Sequence, residues 1–89
     1  MAWKIELTEL AVKQLKKMGH NEATRITQYL RKRIEPLEDP RVLGKALRGD
    51  LSTLWRYRVG DYRLICEIKE NELIVLVVRV GHRKVVYDK

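Results

Sequence analysis

Eighty-nine residues are enough for one small hydrophobic core and too few for two, so the chain reads as a single domain over residues 1–89. A formal net charge of +7 and an isoelectric point near 9.8 favour a polyanionic partner, RNA or DNA before an acidic protein. No run approaches transmembrane length, no signal-peptide core opens the chain and the single Cys66 excludes an internal disulfide, so a soluble, cytoplasmic protein is expected.

Trp3, Ile5 and Leu7 alternate with Lys4 and Glu6, which predicts a short strand over Ala2–Leu7. Thr8 is a good N-cap, Glu9 suits the positive end of a helix dipole, and Gly19 fits the position past a helix C-terminus. Ala11, Leu15 and Met18 form the buried stripe between them. Asn21 is expected to cap a second helix with a stripe of Ala23, Ile26, Leu30, Ile34 and Leu37. Pro36 disfavours helix at Glu35 and ends this element near there. The pair makes a helical hairpin. Arg25, Arg31, Lys32 and Arg33 decorate the second helix, either as a solvated outer face or as phosphate contacts to a large RNA. The stretch Asp39–Ser52 contains Asp39-Pro40 and Gly49-Asp50 and reads as a loop, anchored by Leu43 and Leu47.

The run from Leu54 to Leu64 reads as a β-hairpin, because Trp55, Tyr57 and Val59 alternate with Leu54, Arg56 and Arg58 and Gly60-Asp61 supplies a two-residue turn. Pairing Val59 with Tyr62 sets Arg58 opposite Arg63, Tyr57 opposite Leu64 and Trp55 opposite Cys66. One face is then aromatic and aliphatic, and the other gathers Arg56, Arg58 and Arg63. Like charges directly opposite each other destabilise a sheet, and guanidinium forks suit phosphate, so this face is expected to stay open and hold an anion. After a turn at Glu70-Asn71, the apolar run in Glu72–Val80 predicts a strand buried on both faces and lying centrally. One residue of register decides which face takes Arg79. Gly81 is expected to interrupt this strand before His82-Arg83-Lys84-Val85-Val86-Tyr87. The predicted fold is α+β: an N-terminal strand, a helical hairpin, then a three-stranded antiparallel meander, forming one sheet with helices packed on one face.

His20 and His82 stand far apart, and no carboxylate cluster or CxxC spacing offers ligands, so neither a metal nor a cofactor is expected. No P-loop, GxGxxG or G-x-S-x-G occurs. What remains is cationic: Arg56, Arg58 and Arg63 on one sheet face, and His82, Arg83 and Tyr87 after the last strand. Metal-free RNA cleavage needs a base for a 2′-hydroxyl, cations for the pentacoordinate phosphate and an acid for the leaving 5′-oxygen. Arginine serves the middle role. Histidine is the side chain whose charge changes near neutral pH, which makes His82 the candidate base. Tyr87 is suited to donate a proton, accept one, or stack on a base, and it can equally well just cover a core edge. Cys66 falls on the apolar face, as a buried inert thiol.

The string L-R-G followed by W-R-Y-R-V-G-D-Y-R-L, an apolar strand and V-G-H-R-K-V-V-Y resembles the RelE branch of the RelE/ParE toxin superfamily along essentially the whole chain. The resemblance implies a type II toxin that enters the ribosomal A site and cuts mRNA there. It also implies a cognate antitoxin, expected to be an acidic segment that folds on binding, with operator DNA reached only through the toxin–antitoxin complex. Carried over by position, Arg56, Arg58, Arg63, Arg83 and Tyr87 match the family's basic residues and C-terminal tyrosine. The expected catalytic set is Arg58, Arg63, His82, Arg83 and Tyr87, and the expected RNA contacts are Arg56, Arg79 and Lys84. Where the best-known RelE pattern has lysines, this chain has Arg56 and Arg58, so the base is either His82 or, with His82 only stacking on or positioning the RNA, Tyr87 or a ribosomal group. The alternative within the superfamily is a ParE-like, non-enzymatic inhibitor of DNA gyrase.

Overall fold

A computed structural model describes residues 3–47 and 54–82. In chain order these form β1 (Lys4–Leu7), α1 (Glu9–Met18), α2 (His20–Tyr29), β2 (Lys45–Ala46), β3 (Leu54–Val59), β4 (Tyr62–Lys69) and β5 (Ile74–His82). The strands make one mixed five-stranded sheet in the order β1-β5-β4-β3-β2. The α+β expectation holds, with the meander at its heart. Two additions were not expected: β1 joins β5 in parallel, and β2 adds a two-residue antiparallel edge to β3.

Local chemistry sets the helix boundaries. The Thr8 hydroxyl accepts from the Ala11 N–H at 3.1 Å and Glu9 occupies the first turn, so α1 starts as expected. It stops at Gly19, whose φ of +95° is open to glycine and costly for other residues. Asn21 does not cap α2: that helix begins at His20, directly after Gly19, and makes no side-chain cap bond. One glycine is the whole connection. At its far end α2 widens into a π-type turn over Leu30–Ile34, where Glu35 N–H donates to the Leu30 carbonyl at 2.9 Å. The extra residue per turn keeps Ile26, Leu30 and Ile34 on the buried stripe, and Leu37 packs against it.

The core lies between the helical hairpin and one sheet face. Ala11, Leu15, Ile26, Leu30 and Ile34 meet Tyr57, Val59, Leu64, Cys66, Val75, Val77 and Val80, with Trp3 closing the bottom. The hairpin register is the expected one, with Val59 opposite Tyr62, Arg58 opposite Arg63, Tyr57 opposite Leu64 and Trp55 opposite Cys66. The third strand departs in two ways. It is fully covered on its helix face only, since Ile74, Leu76 and Val78 are half-buried. Gly81 does not interrupt it, because β5 continues through Gly81, opposite Arg63, to His82.

The irregularity instead falls at Val78. Cys66 pairs with Val77 and Ile65 with Arg79, which leaves Val78 as the extra residue of a β-bulge. Side chains of α1 satisfy the backbone there. The Thr8 hydroxyl donates to the Val78 carbonyl at 2.7 Å, and Gln14 Oε1 accepts from the Val80 N–H at 2.6 Å. A bulge flips the alternation downstream of it, so Val80 stays in the core while Arg79 turns to the opposite face.

Residues 48–52 of the segment expected to be a loop lie outside the described residues, and its described part, residues 39–47, is more ordered than that. Asp39 caps a turn of 3-10 helix over Pro40–Val42, accepting from the Arg41 N–H at 3.0 Å. Trp3, Trp55 and Tyr57 then tie it down, donating to the carbonyls of Glu38 (3.0 Å), Leu43 (2.6 Å) and Pro40 (2.7 Å). Leu43 packs on the core as expected.

Candidate functional site

The face of the sheet turned away from the helices carries the charged side chains, and the register sorts them into rows. Directly paired residues share a face, so Lys45, Arg56, Ile65 and Arg79 form one row across β2, β3, β4 and β5. Arg58, Arg63 and Gly81 form the next, towards the Gly60 turn. A third row on the other side is Leu54, Glu67, Leu76 and Glu6. Strands lie about 4.8 Å apart, so five cations occupy two adjacent rows at one end of the face and the carboxylates begin in the row after. This end of the face is positive and the middle is not.

The cations differ in how firmly they are held. Arg58 and Arg79 are exposed and Arg56 is half-buried. Arg63 keeps only 7% of its surface exposed, and its Nη1 donates to the Tyr62 carbonyl at 3.3 Å. The open face expected for all three hairpin arginines therefore holds for Arg58 and not for Arg63. Arg63 is a fixed charge set beneath the surface, while its direct partner Arg58 reaches solvent. Positive charge fixed before an anion arrives costs no reorganisation when it binds.

His82 lands elsewhere. It pairs with Tyr62, which itself pairs with Val59 of the core face, and its ring stands edge-on to the Tyr62 ring with centroids 5.8 Å apart. By alternation it lies on the helix side of the sheet, at the last residue of β5, and Arg63 lies on the other side. Of the remaining expected site residues, Arg83, Lys84 and Tyr87 are outside the described residues.

Two contributions were not singled out from the sequence. Lys45 extends the first basic row, but its strand is two residues long and leaves no alternation to read. Thr8 and Gln14 matter because they hold the bulge that turns Arg79 onto the basic face, a role visible only in three dimensions. Among the described residues no group of three or more His, Cys, Asp or Glu side chains could hold a metal ion, and no helix is long and apolar enough to cross a membrane.

Comparison with known proteins matches this frame along nearly its whole length. Residues 5–87 match the family model of the ParE toxin of type II toxin–antitoxin systems, parDE. The chain belongs to the RelE/ParE toxin family. Its curated relatives are on the RelE side. The mRNA interferase toxin RelE of Escherichia coli K12 is 33% identical over 86 residues, 94% of this chain and 86% of that protein. Toxin RelE of Mycobacterium tuberculosis is 29% identical over 84 residues, 93% of this chain and 84% of that one. Among solved structures, the RelBE2 toxin–antitoxin complex of M. tuberculosis superposes with a TM-score of 0.84 at 25% identity, covering 93% of each chain. Free E. coli RelE carrying two arginine-to-alanine changes gives 0.77 at 25% identity, covering 98% of this chain and 90% of that one. The RelE-branch fold is thus common to the set, and in this member the hairpin positions 56 and 58 are both arginine.

Proposed function

We propose that this chain is the toxin of a type II toxin–antitoxin system and a metal-independent endoribonuclease that cleaves mRNA in the ribosomal A site. The observation that carries the reading is the pair of basic rows, with exposed Arg58 directly across from fixed Arg63 at the positive end of the sheet. In the reaction the 2′-oxygen attacks the adjacent phosphorus and the bond to the 5′-oxygen breaks. The products are a 2′,3′-cyclic phosphate and, once the leaving oxygen takes a proton from an acid or from water, a 5′-hydroxyl. Negative charge grows on the phosphorane oxygens, and donors already in place lower that barrier. Arg58 and Arg63 serve there, while Arg56 and Arg79 in the neighbouring row hold the flanking backbone. Arg83 and Tyr87 enter this reading through the family resemblance alone, as catalytic residues, and Lys84 as an RNA contact expected from the sequence.

The 2′-hydroxyl proton needs an acceptor. His82 fills that role only if its ring moves from Tyr62 to the arginine side of the sheet. Single-turnover cleavage on programmed ribosomes, followed against pH, is expected to be much slower for His82→Gln than for wild type. Equal profiles and rates in the two proteins remove His82 as the base.

Solved relatives include RelE–RelB complexes. We assign this chain a cognate antitoxin of its own, with an acidic segment that orders on the basic surface or on the residues after Gly81. Contact with operator DNA then runs through that complex.

The family model carries the ParE name, so gyrase inhibition is the competing reading. Primer extension on mRNA from induced cells, run beside a supercoiling assay, separates the two. Cuts within translated codons and unimpaired gyrase are expected. Intact mRNA with inhibited gyrase overturns the proposal.

A further inference from the structure

Beside the basic rows, Tyr29, Leu43, Gly44, Lys45, Arg56 and Arg58 line an open cleft of about 240 Å3. It lies where the two-residue β2, paired with Arg56 and Trp55, ends, and among the described residues no strand pairs with the outer edge of β3 beyond Arg56. The walls are built firmly. Gly44, at φ +77°, sits so close to β3 that a Cβ there would run into the Arg56 carbonyl and come within 2.9 Å of the Trp55 ring. The Trp55 and Tyr57 side chains hold the carbonyls of Leu43 and Pro40 at 2.6 and 2.7 Å. Tyr29 is set between the Tyr57 ring, with centroids 6.5 Å apart, and the Arg33 guanidinium, 5.9 Å from its ring centroid.

The chemistry of the lining is one-sided. Lys45, Arg56, Arg58 and Tyr29 are among the lining residues, Tyr29 from the helix side of the sheet edge and the cations from the other, and no carboxylate lines it among the described residues. Lys45 and Arg56 are directly paired across the strands, a like-charge contact that an anion beside them would ease. Among the described residues Lys45 makes no ion pair; the four that are present involve Lys4, Arg25 and Arg41.

We propose that this edge cleft is a second RNA subsite, which takes the phosphodiester and the base or ribose of a nucleotide flanking the one cleaved. The phosphate lies between Lys45, Arg56 and Arg58, and the base or ribose rests on the Tyr29 wall, since aromatic rings accept any base. The inference rests on the RNA reading above and deepens it. It makes Lys45 a contact that positions the RNA backbone, continuous with the catalytic rows through Arg58.

The test uses the full chain and a short single-stranded oligoribonucleotide with 2′-O-methyl riboses, which 2′-hydroxyl attack cannot cut. For single strands, each neutralised phosphate contributes about −0.7 to the slope of log K against log salt. Lys45→Gln is expected to make the slope shallower by about 0.7. Lys13→Gln, on the exposed side of α1, is expected to leave it unchanged. Lys45 is exposed on an edge strand, so the variant is expected to fold, and a thermal melt checks this. Photocrosslinking from 4-thiouridine placed along the same oligonucleotide should label Tyr29 or the Leu43–Lys45 segment. Equal slopes for wild type and Lys45→Gln, an equal loss with Lys13→Gln, or crosslinks confined to α1 overturn the cleft. Because the probe is not cleaved, these outcomes stand apart from primer extension, whose failure would overturn the enzymatic reading instead.

Discussion

Arg58→Ala and Arg63→Ala should each lower RNA cleavage by about 100- to 1,000-fold, the usual cost of removing one preorganised donor from a developing oxyanion. Their effects on stability should differ. Arg58 is exposed, so its loss is expected to move stability by no more than about 0.5 kcal/mol. Relief of the like-charge pair with Arg63 would push that small change towards stabilisation. Arg63 is 93% buried by its 7% residual exposure, and truncating it removes packed methylenes along with the charge, for about 1–3 kcal/mol. Arg63→Met separates the two contributions, because it keeps an apolar stem and loses the guanidinium. Cleavage should stay as low as in Arg63→Ala while stability largely returns. Cleavage and urea unfolding measured on all four proteins decide the matter. Wild-type cleavage by Arg58→Ala, or recovery of activity in Arg63→Met together with stability, would show that these arginines serve the fold and not the phosphate.

The contrast between Arg58 and Arg63 marks how far the sequence could be read. Alternation along β3 and a two-residue turn at Gly60-Asp61 fix the hairpin register uniquely, so the pairing of the two arginines was legible. Their depth was not, because burial depends on what the rest of the fold lays over each position. Arg79 shows the same limit. Its face depends on a bulge at Val78, and that bulge is held by Thr8 and Gln14, more than sixty residues away in sequence. Local pattern cannot report such a contact. The end of β5 was misread for a related reason. Gly81 looks like a strand breaker, yet in the ladder opposite Arg63 it is simply a strand residue without a side chain, and the continued alternation carries His82 to the Tyr62 side. Helix α2 was placed correctly by its apolar stripe and started wrongly by Asn21, because a glycine linker of one residue left no room for a separate cap.

Lys45 was hidden by length. A two-residue strand has no period, and its residues read as loop until β3 is there to pair with. The basic surface is consequently larger than the hairpin suggested, with five cations in two rows in place of three arginines. It is also more sharply bounded, because Glu67 and Glu6 follow in the next row. That boundary argues for a site that places one stretch of backbone in one direction. A uniformly basic face would bind RNA and leave its register free.

Stability should fall steeply in alkali, and the helix-facing side of the same hairpin is the cause. Burial pushes the Cys66 thiol well above its ordinary value of 9.0. Burial first, then the neighbouring Cys66 and Tyr29, pushes the Tyr57 phenol well above 10.0. The Tyr29 phenol is raised as well by burial, against the opposing pull of Arg33. In the unfolded chain Cys66 loses its proton from about pH 9 and the tyrosines from about pH 10, whereas the folded protein keeps these protons. The unfolded state then binds fewer protons, so its share grows as pH rises. Each such group removes about 1.4 kcal/mol per pH unit above its unfolded pKa. By about pH 11 that is about 3 kcal/mol from Cys66 and about 1.4 kcal/mol from Tyr57, a large part of the 5–15 kcal/mol typical of a domain. Urea unfolding of wild type and Cys66→Ala at intervals from about pH 8 to 11 tests this. The variant should start less stable, having lost a buried side chain, and then decline more shallowly between about pH 9 and 10. Tyr57→Phe should lose about 1 kcal/mol at neutral pH with the Pro40 hydrogen bond and decline more shallowly above about pH 10. Parallel curves for all three proteins would mean that the core opens before these groups titrate. Tyr57 and Cys66 alternate along β3 and β4 with Arg56, Arg58 and Arg63, so the basic rows should come apart over the same alkaline range, and RNA affinity should fall with the fold even though the arginines keep their charge.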